Sequence, residues 1–105
     1  MKQTHLNVVG FNRANFHVIS ELGCDNPAAL QCLLYICQYM DDDNTIICSA
    51  KLLQEVCKKS PSIIARAIEE LKDRNLINIL KRDGTNVYIV NSDFAITKPQ
   101  ETQSM

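Results

Sequence analysis

The chain has 105 residues, of which 46% are apolar and 22% are charged, and its formal net charge is −1 at pH 7. This length suits one domain with a single hydrophobic core and excludes a second domain of ordinary size. No apolar run is long enough to cross a bilayer, so the sequence predicts a soluble protein.

Residues 1–25 are predicted to form an N-terminal arm with β-like structure. Two runs within it, residues 5–11 and 16–19, have the composition of short strands and are separated by a polar stretch. They either pair with each other as a hairpin or add a strand to the body of the domain. The arm either makes a dimer contact or covers one end of the core with its apolar side chains Phe11, Phe16, Val18 and Ile19.

The next predicted element is a helix that begins at Asn26 and Pro27 and runs to Met40, because Asn caps helices and Pro is tolerated in the first turn. Its only polar side consists of Gln31, Tyr35 and Gln38. So wide an apolar surface exceeds what two further helices can bury. Either the arm or a second subunit covers the remainder. We therefore predict a homodimer through the arm and this helix, with a monomer as the alternative.

Three carboxylates, Asp41, Asp42 and Asp43, are predicted to end that helix in an acidic turn, since negative charge is unfavourable at a helix C-terminus. Three consecutive carboxylates can indicate a divalent cation, but an isolated run is more typical of a solvated loop. No metal and no other cofactor is expected. Residues 45–48 then have the composition of a short strand.

Residues 49–75 predict two helices across a tight turn. Ser49 can cap the first helix, and Ser60 with Pro61 can start the second. In the second helix the apolar residues share one side and the polar residues share the other. The apolar side contains Ile64, Ala67, Ile68 and Leu71. The opposite side contains Ser62, Arg66, Glu69 and Asp73.

A hairpin is predicted over residues 76–91, where two runs rich in Ile, Val and Tyr flank Asp83 and Gly84, a strong turn signal. Two helices across a tight turn followed by a hairpin predict a winged helix-turn-helix. The fold class is therefore α+β, with a three-helix core and a β-hairpin wing over residues 26–96. Residues 97–105 are polar and are predicted to form a flexible tail.

The charges are distributed unevenly along the chain. Residues 44–83 contain eight Lys and Arg against five Asp and Glu, whereas the rest of the chain contains three against seven. This asymmetry is typical of a phosphate-facing surface on an acidic body.

The five cysteines are not spaced for metal binding, because no C-x2-C pair is present and both histidines lie far upstream. They are expected to be free thiols in the core. The N-terminus lacks the features of a signal peptide, so a reducing cytoplasm is the expected compartment.

Three pieces of the chain are similar to one known family: YMDDDNTIICS, SPSIIARAIEELKDRNLINIL and NVYIVNSDFA. Together with the order of elements over roughly residues 27–96, they resemble the winged-helix region of RepL-like plasmid replication proteins. The pattern A-R-A-I-x-x-L-x-x-x-x-L-I is shared with many bacterial winged-helix regulators. The resemblance implies a bacterial or plasmid-borne protein that binds duplex DNA in replication initiation or its control.

The second helix is expected to lie in a major groove with its N-terminal half nearest the base edges. Arg66 is the candidate for reading guanine, and Ile63 for contacting a thymine methyl group. Lysines around the turn are expected to meet phosphates, and the basic residues at the hairpin tip are expected to reach either the DNA backbone or the adjacent minor groove. The predicted DNA-binding residues are Lys51, Lys58, Lys59, Ser60, Ser62, Ile63, Arg66, Lys81 and Arg82.

Two alternatives stay open. Arg66 could instead form an exposed ion pair with Glu69 or Glu70, at i+3 and i+4. The domain could also be a protein-interaction module that keeps this fold without binding DNA. An enzyme is not expected, because the sequence shows no nucleophile-and-base arrangement, phosphate loop or metal motif.

Overall fold

The structure is a computed structural model that describes residues 6–100, and within this range the chain is an α+β domain with four α-helices and two small antiparallel sheets. The elements in chain order are β1 (Leu6–Phe11), a 3₁₀ turn (Arg13–Asn15), α1 (Phe16–Asp25), α2 (Pro27–Tyr39), β2 (Thr45–Ile47), α3 (Ala50–Cys57), α4 (Pro61–Asp73), β3 (Ile77–Arg82), β4 (Thr85–Val90) and β5 (Ala95–Gln100). None of the helices in this range is long and apolar enough to cross a membrane.

Three of the four helices begin at the caps that the sequence predicts. The side chains of Asn26, Ser49 and Ser60 each accept a hydrogen bond from the backbone amide three residues on, at 3.2, 3.0 and 3.4 Å. Proline follows the cap of α2 and of α4. Its missing N–H costs no hydrogen bond there, because the first amides of a helix have no partner within the helix. Helix starts are therefore fixed locally, by residues that a single pass along the sequence can find.

The larger sheet has the strand order β2-β4-β3. Strands β3 and β4 form a hairpin whose two-residue turn, Asp83 and Gly84, has φ angles of 53° and 81°. Two positive φ angles define the type I′ turn that matches the twist of a hairpin. β2 pairs with β4, so the hairpin and the residues before α3 belong to one sheet.

The smaller sheet corrects two predictions about the chain ends. Strand β1 pairs with β5, in a register that sets Phe11 opposite Ala95. The predicted strand at residues 16–19 is wrong, because these residues open helix α1. The prediction of a flexible tail from residue 97 onwards is also wrong as far as Gln100, because residues 95–100 form β5, which pairs with β1. Residues 1–5 of the arm and 101–105 of the tail lie outside the described residues.

Helix α2 lies at the centre of the domain and contacts α1, α3, α4 and β4. The sequence predicted a core of three helices, whereas the structure has four. The additional helix, α1, packs on α2 and covers part of its apolar surface. Within the arm, Phe11, Val18 and Ile19 pack against the core, whereas Phe16 stays 49% exposed. The N-terminal segment thus covers one end of the core, which was one of the two roles predicted for it; the other was a dimer contact.

Candidate nucleic-acid interface

The connection between α3 and α4 consists of Lys58, Lys59 and Ser60, all of them exposed. Lys58 adopts the left-handed conformation, with φ 56° and ψ 49°, and caps α3. The backbone amides of both lysines donate to the carbonyl oxygen of Gln54. The turn is therefore held by backbone hydrogen bonds, and its two ammonium groups extend into solvent.

Helix α4 divides into a buried and an exposed side as the apolar period predicts. Ile64, Ala67 and Leu71 are at most 1% exposed. On the exposed side of the first two turns lie Ser62, Arg66 and Ile63, with Ile63 41% exposed. The exposed surface of these two turns therefore combines one large apolar side chain with an arginine and a serine.

Among residues 8–97, whose side chains the structure describes, Arg66 makes no ion pair and no side-chain hydrogen bond. Every ion pair among these residues instead involves Arg74. Glu70, one of the two partners considered for Arg66, binds the Arg74 Nε at 2.6 Å. The guanidinium of Arg66 is thus available to a ligand.

Arg74 joins α4 to α1. Its Nη1 lies 2.9 Å from the Glu21 carboxylate, and its Nη2 lies 4.0 Å from Asp25. The hydrogen bonds that Arg74 donates to Glu70, and then to Glu21, raise the pKa of Arg74 above its ordinary value. This arginine is therefore engaged within the fold, and it fixes the C-terminal end of α4 on the side of the domain that carries α1.

The exposed ridge of α4 changes sign along its length. Ser62 and Arg66 occupy its N-terminal half, and Glu69 and Asp73 occupy its C-terminal half, where both are exposed. Carboxylates repel phosphates, so only the N-terminal half of α4 and the preceding turn suit a polyanion.

The hairpin contributes two further cations. Lys81 and Arg82 are exposed at the end of β3, and as successive strand residues they lie on opposite faces. The amide of Cys48 donates to the carbonyl of Asn86, the cross-strand partner of Lys81, at 3.2 Å. This bond holds the start of α3, where Lys51 lies, against the hairpin.

All nine predicted DNA-binding residues are exposed. The stretch from Lys58 to Arg66 contains six of them on one turn and the first two turns of α4. The remaining three, Lys51, Lys81 and Arg82, come from α3 and β3. One further exposed residue of the same stretch, Ala65, was not singled out from the sequence. Its short side chain lets the helix backbone approach a surface closely, and its only signal is its place at the edge of the polar side.

Four of the five cysteines are buried, and Cys24 is exposed. The Sγ atoms of Cys32 and Cys57 lie 4.0 Å apart. Burial, followed by the nearby Cys57, raises the pKa of Cys32 to about 12, and burial raises that of Cys37 to about 12. Between residues 6 and 100, no three His, Cys, Asp or Glu side chains are arranged to hold a metal ion. The buried thiols pack as small apolar side chains.

A scan against protein-family models and searches of the curated proteins and of the solved structures found no match to this chain.

Proposed function

We propose that this chain binds double-stranded DNA in a sequence-specific manner as a winged helix-turn-helix, in plasmid replication or transcriptional control. The succession of β2, α3, the three-residue turn, α4 and the β3–β4 hairpin supports this fold. In this assignment α4 is the recognition helix and the hairpin is the wing. Such a protein works in the bacterial cytoplasm, on the nucleoid or on a plasmid.

One observation carries the proposal: the cations around the start of α4 have no partner within the described part of the chain. Lys58, Lys59 and Arg66 are exposed and form no ion pair there, whereas Arg74 at the other end of the helix is bound by three carboxylates. Unneutralised cations that surround a protruding helix end provide the charge that a phosphate backbone requires.

Sequence would be read by the first two turns of α4. The Arg66 guanidinium matches the O6 and N7 acceptors of guanine, and Ile63 offers an apolar contact to a thymine methyl group. The Ser60 hydroxyl accepts from the Ile63 amide and lies 3.4 Å from the Ser62 hydroxyl, so one of the two serines donates to the other and the second keeps its hydrogen for a phosphate. Ser62 can donate to a phosphate or to a base, and the lysines and the wing residues contact the backbone.

Charge reversal at the turn tests this proposal. Lys59→Glu is expected to weaken binding to a fluorescent duplex at least about tenfold, because it replaces a phosphate contact by a repulsion. Fluorescence anisotropy of a selected duplex at constant salt measures the loss. Arg66→Ala is expected to reduce discrimination between the selected duplex and one with the guanine replaced.

Arg13→Glu is the matched control, since it makes the same charge change at an exposed residue in the 3₁₀ turn, away from α3, α4 and the wing. It is expected to leave the affinity within about twofold of the unchanged protein. Equal losses for Lys59→Glu and Arg13→Glu would show that only net charge matters, and would overturn the assigned surface.

The competing function is a winged-helix protein-interaction module without DNA binding. Glu69 and Asp73, exposed on the outward ridge of α4, favour it because they oppose phosphate contact. The two functions differ at low salt, where a DNA-binding surface binds any duplex and an interaction module binds none.

A further inference from the structure

Two buried cysteines from different helices lie in contact. Cys32 is on α2 and is fully buried, and Cys57 is the last residue of α3 and is 6% exposed. Their Sγ atoms lie 4.0 Å apart, in the one hydrogen bond between two thiols among residues 8–97. The two residues are 25 positions apart in the sequence, so the packing of α3 on α2 brings them together.

The other three cysteines are placed differently. Cys24 is exposed on α1, and the buried Cys37 and Cys48 form no hydrogen bond with a second thiol in the described part of the chain. A disulfide requires two sulfur atoms that approach to about 2.05 Å. The sulfur atoms of Cys32 and Cys57 need to move only about 2 Å closer, so the fold selects this pair for a disulfide within one chain.

From this geometry we infer that Cys32 and Cys57 form a redox-sensitive pair whose disulfide draws the turn between α3 and α4 towards the core. Cys57 directly precedes Lys58 and Lys59, the first two residues of that turn. Because α2 lies at the centre of the domain, a bond to Cys32 pulls the end of α3 inwards, together with the turn attached to it. The effect on DNA rests on the proposed function, in which both lysines contact phosphates, whereas the cross-link does not.

The oxidant that we assign to this reaction is a peroxide. The Cys57 thiolate attacks one peroxide oxygen, the O–O bond breaks, and hydroxide leaves, so that a sulfenic acid forms on Cys57. The Cys32 sulfur then attacks the Cys57 sulfur, the S–O bond breaks, and the hydroxide leaves with the Cys32 proton as water. In total the two thiols give two electrons and two protons, and hydrogen peroxide becomes two water molecules. A dithiol reductant reverses the bond by thiol–disulfide exchange.

Burial determines the order and the rate of these steps. Burial, followed by the nearby Cys57 thiol, raises the pKa of Cys32 to about 12, which keeps Cys32 protonated. Cys57 has the larger exposed fraction and is therefore the thiol that the oxidant reaches first. Hydrogen peroxide is close to water in size, so it enters sites that larger alkylating reagents do not enter. The pair stays a dithiol under reducing conditions and responds slowly, to sustained oxidation.

Peptide mapping without reduction tests the cross-link after the folded protein has been treated with hydrogen peroxide. A Cys24→Ser background removes the exposed thiol, which could otherwise link two copies. The expected product is one linked peptide pair that contains Cys32 and Cys57. Cys57→Ala is expected to abolish every link. The matched control is Cys37→Ala, which removes another buried thiol of α2 and is expected to leave the link unchanged. Thermal unfolding followed by circular dichroism checks that the variants are folded.

Limited trypsin digestion measures the movement of the turn without DNA. Cleavage after Lys58 and Lys59 is expected to be at least about threefold slower in the oxidised protein, because a turn drawn inwards and tied to α2 opens less often. Cleavage after Lys81 and Arg82 at the hairpin tip is the internal control, since the hairpin lies outside the cross-linked segment.

Fluorescence anisotropy with a selected duplex measures the consequence for DNA. Oxidation is expected to weaken binding at least about threefold, because the two lysines of the turn are drawn away from the phosphates. Dithiothreitol is expected to restore the affinity. The Cys57→Ala variant is expected to bind equally well before and after treatment with peroxide.

The three measurements fail separately. A map without the link between Cys32 and Cys57, a link to another thiol in its place, or equal trypsin rates for the two forms would each overturn the inference. A cross-linked protein with unchanged affinity would overturn the effect on DNA. If the reduced protein bound no duplex, the proposed function would fail, while the map and the trypsin rates would still decide the cross-link and the movement of the turn.

Discussion

At the scale of single residues, Asn44 is the one buried polar side chain in the described part of the chain, and it is 7% exposed. Its Nδ2 donates to the carbonyl oxygens of Val90 and Ala95 at 3.2 and 2.7 Å, and its Oδ1 accepts from the Thr97 amide at 3.3 Å. Its φ is 60°, which Asn tolerates better than most residues. Asn44 thereby connects the larger sheet to β5.

We expect Asn44→Ala to lower the free energy of unfolding by about 2–4 kcal/mol. The change leaves buried backbone groups without a hydrogen-bond partner and places Ala at a positive φ. Urea unfolding measures this change. Asn78→Ala, at an exposed asparagine of β3, serves as the control and is expected to stay within about 0.5 kcal/mol. A small effect at Asn44 would mean that the two sheets do not depend on this connection.

The cysteines give a second prediction at this scale. Alkylation requires a thiolate, and burial raises the pKa of Cys37 to about 12. Iodoacetamide at pH 8 is therefore expected to modify only Cys24 in the folded protein and all five thiols after unfolding, as counted by intact mass. Rapid modification of a second thiol under native conditions would show that the core opens readily.

The same pKa shift gives a pH dependence. A thiol whose pKa is raised in the folded protein ionises first in the unfolded chain as the pH increases. The stabilising contribution of Cys32 and Cys37 is thus complete below about pH 9 and is lost as the pH rises towards 12. The free energy of unfolding is expected to decline over this interval, and replacing both residues by Ala is expected to reduce the decline.

At the scale of elements, the turn between α3 and α4 contains the one lysine with a positive φ among residues 6–100. The other non-glycine residues of this kind are Asn44, Asn75 and Asp83, which belong to types that tolerate the left-handed region. A lysine there carries a conformational cost that glycine does not carry. Under the proposed function, Lys58 retains its charge for DNA at the expense of stability.

Lys58→Gly is therefore expected to stabilise the fold by roughly 0.5–1 kcal/mol while it weakens DNA binding. Lys59→Gly is the matched control, because Lys59 does not have a positive φ. It is expected to weaken binding without stabilising the fold. Thermal unfolding and anisotropy of the same samples separate the two effects. If Lys58→Gly gained stability and bound DNA unchanged, the lysine would have no role in phosphate contact.

Elements whose causes are local were predictable from the sequence. The side chains of Asn26, Ser49 and Ser60 each bond an amide three residues away, and the turn depends on the backbone conformation of Asp83 and Gly84 themselves. Helix α1 was missed because its first residues, Phe16 to Ile19, favour strands when considered alone. Packing of Val18 and Ile19 on the core outweighs that local preference.

At the scale of the whole molecule, the features that the sequence did not reveal connect distant parts of the chain. Strand β5 begins with the apolar Ala95 and Ile96 and continues with the polar residues 97–100, which were predicted to belong to a tail, and it forms because β1 supplies its hydrogen-bond partners. Arg74 joins residues of α4 to Glu21 of α1, 53 positions away. For the candidate interface, the sequence predicted which side chains are exposed. The structure was needed to show that Arg74, and not Arg66, forms ion pairs within the fold.

The central claim is that the first two turns of α4, the preceding turn and the wing bind duplex DNA. Five cations are assigned to phosphates: Lys51, Lys58, Lys59, Lys81 and Arg82. Each phosphate contact releases counterions, so five contacts predict that the logarithm of the affinity falls with the logarithm of the salt concentration with a slope of about −4.5. Removal of one of these lysines is expected to reduce the magnitude of the slope by about one.

The measurement that tests this claim most directly is fluorescence anisotropy of the purified protein with a random duplex pool over a series of salt concentrations, followed by repeated selection. We expect binding at low salt, a slope of about −4.5 and enrichment of a defined sequence. No binding at the lowest salt concentration would contradict the account, and would leave the protein-interaction module as the function that this fold supports.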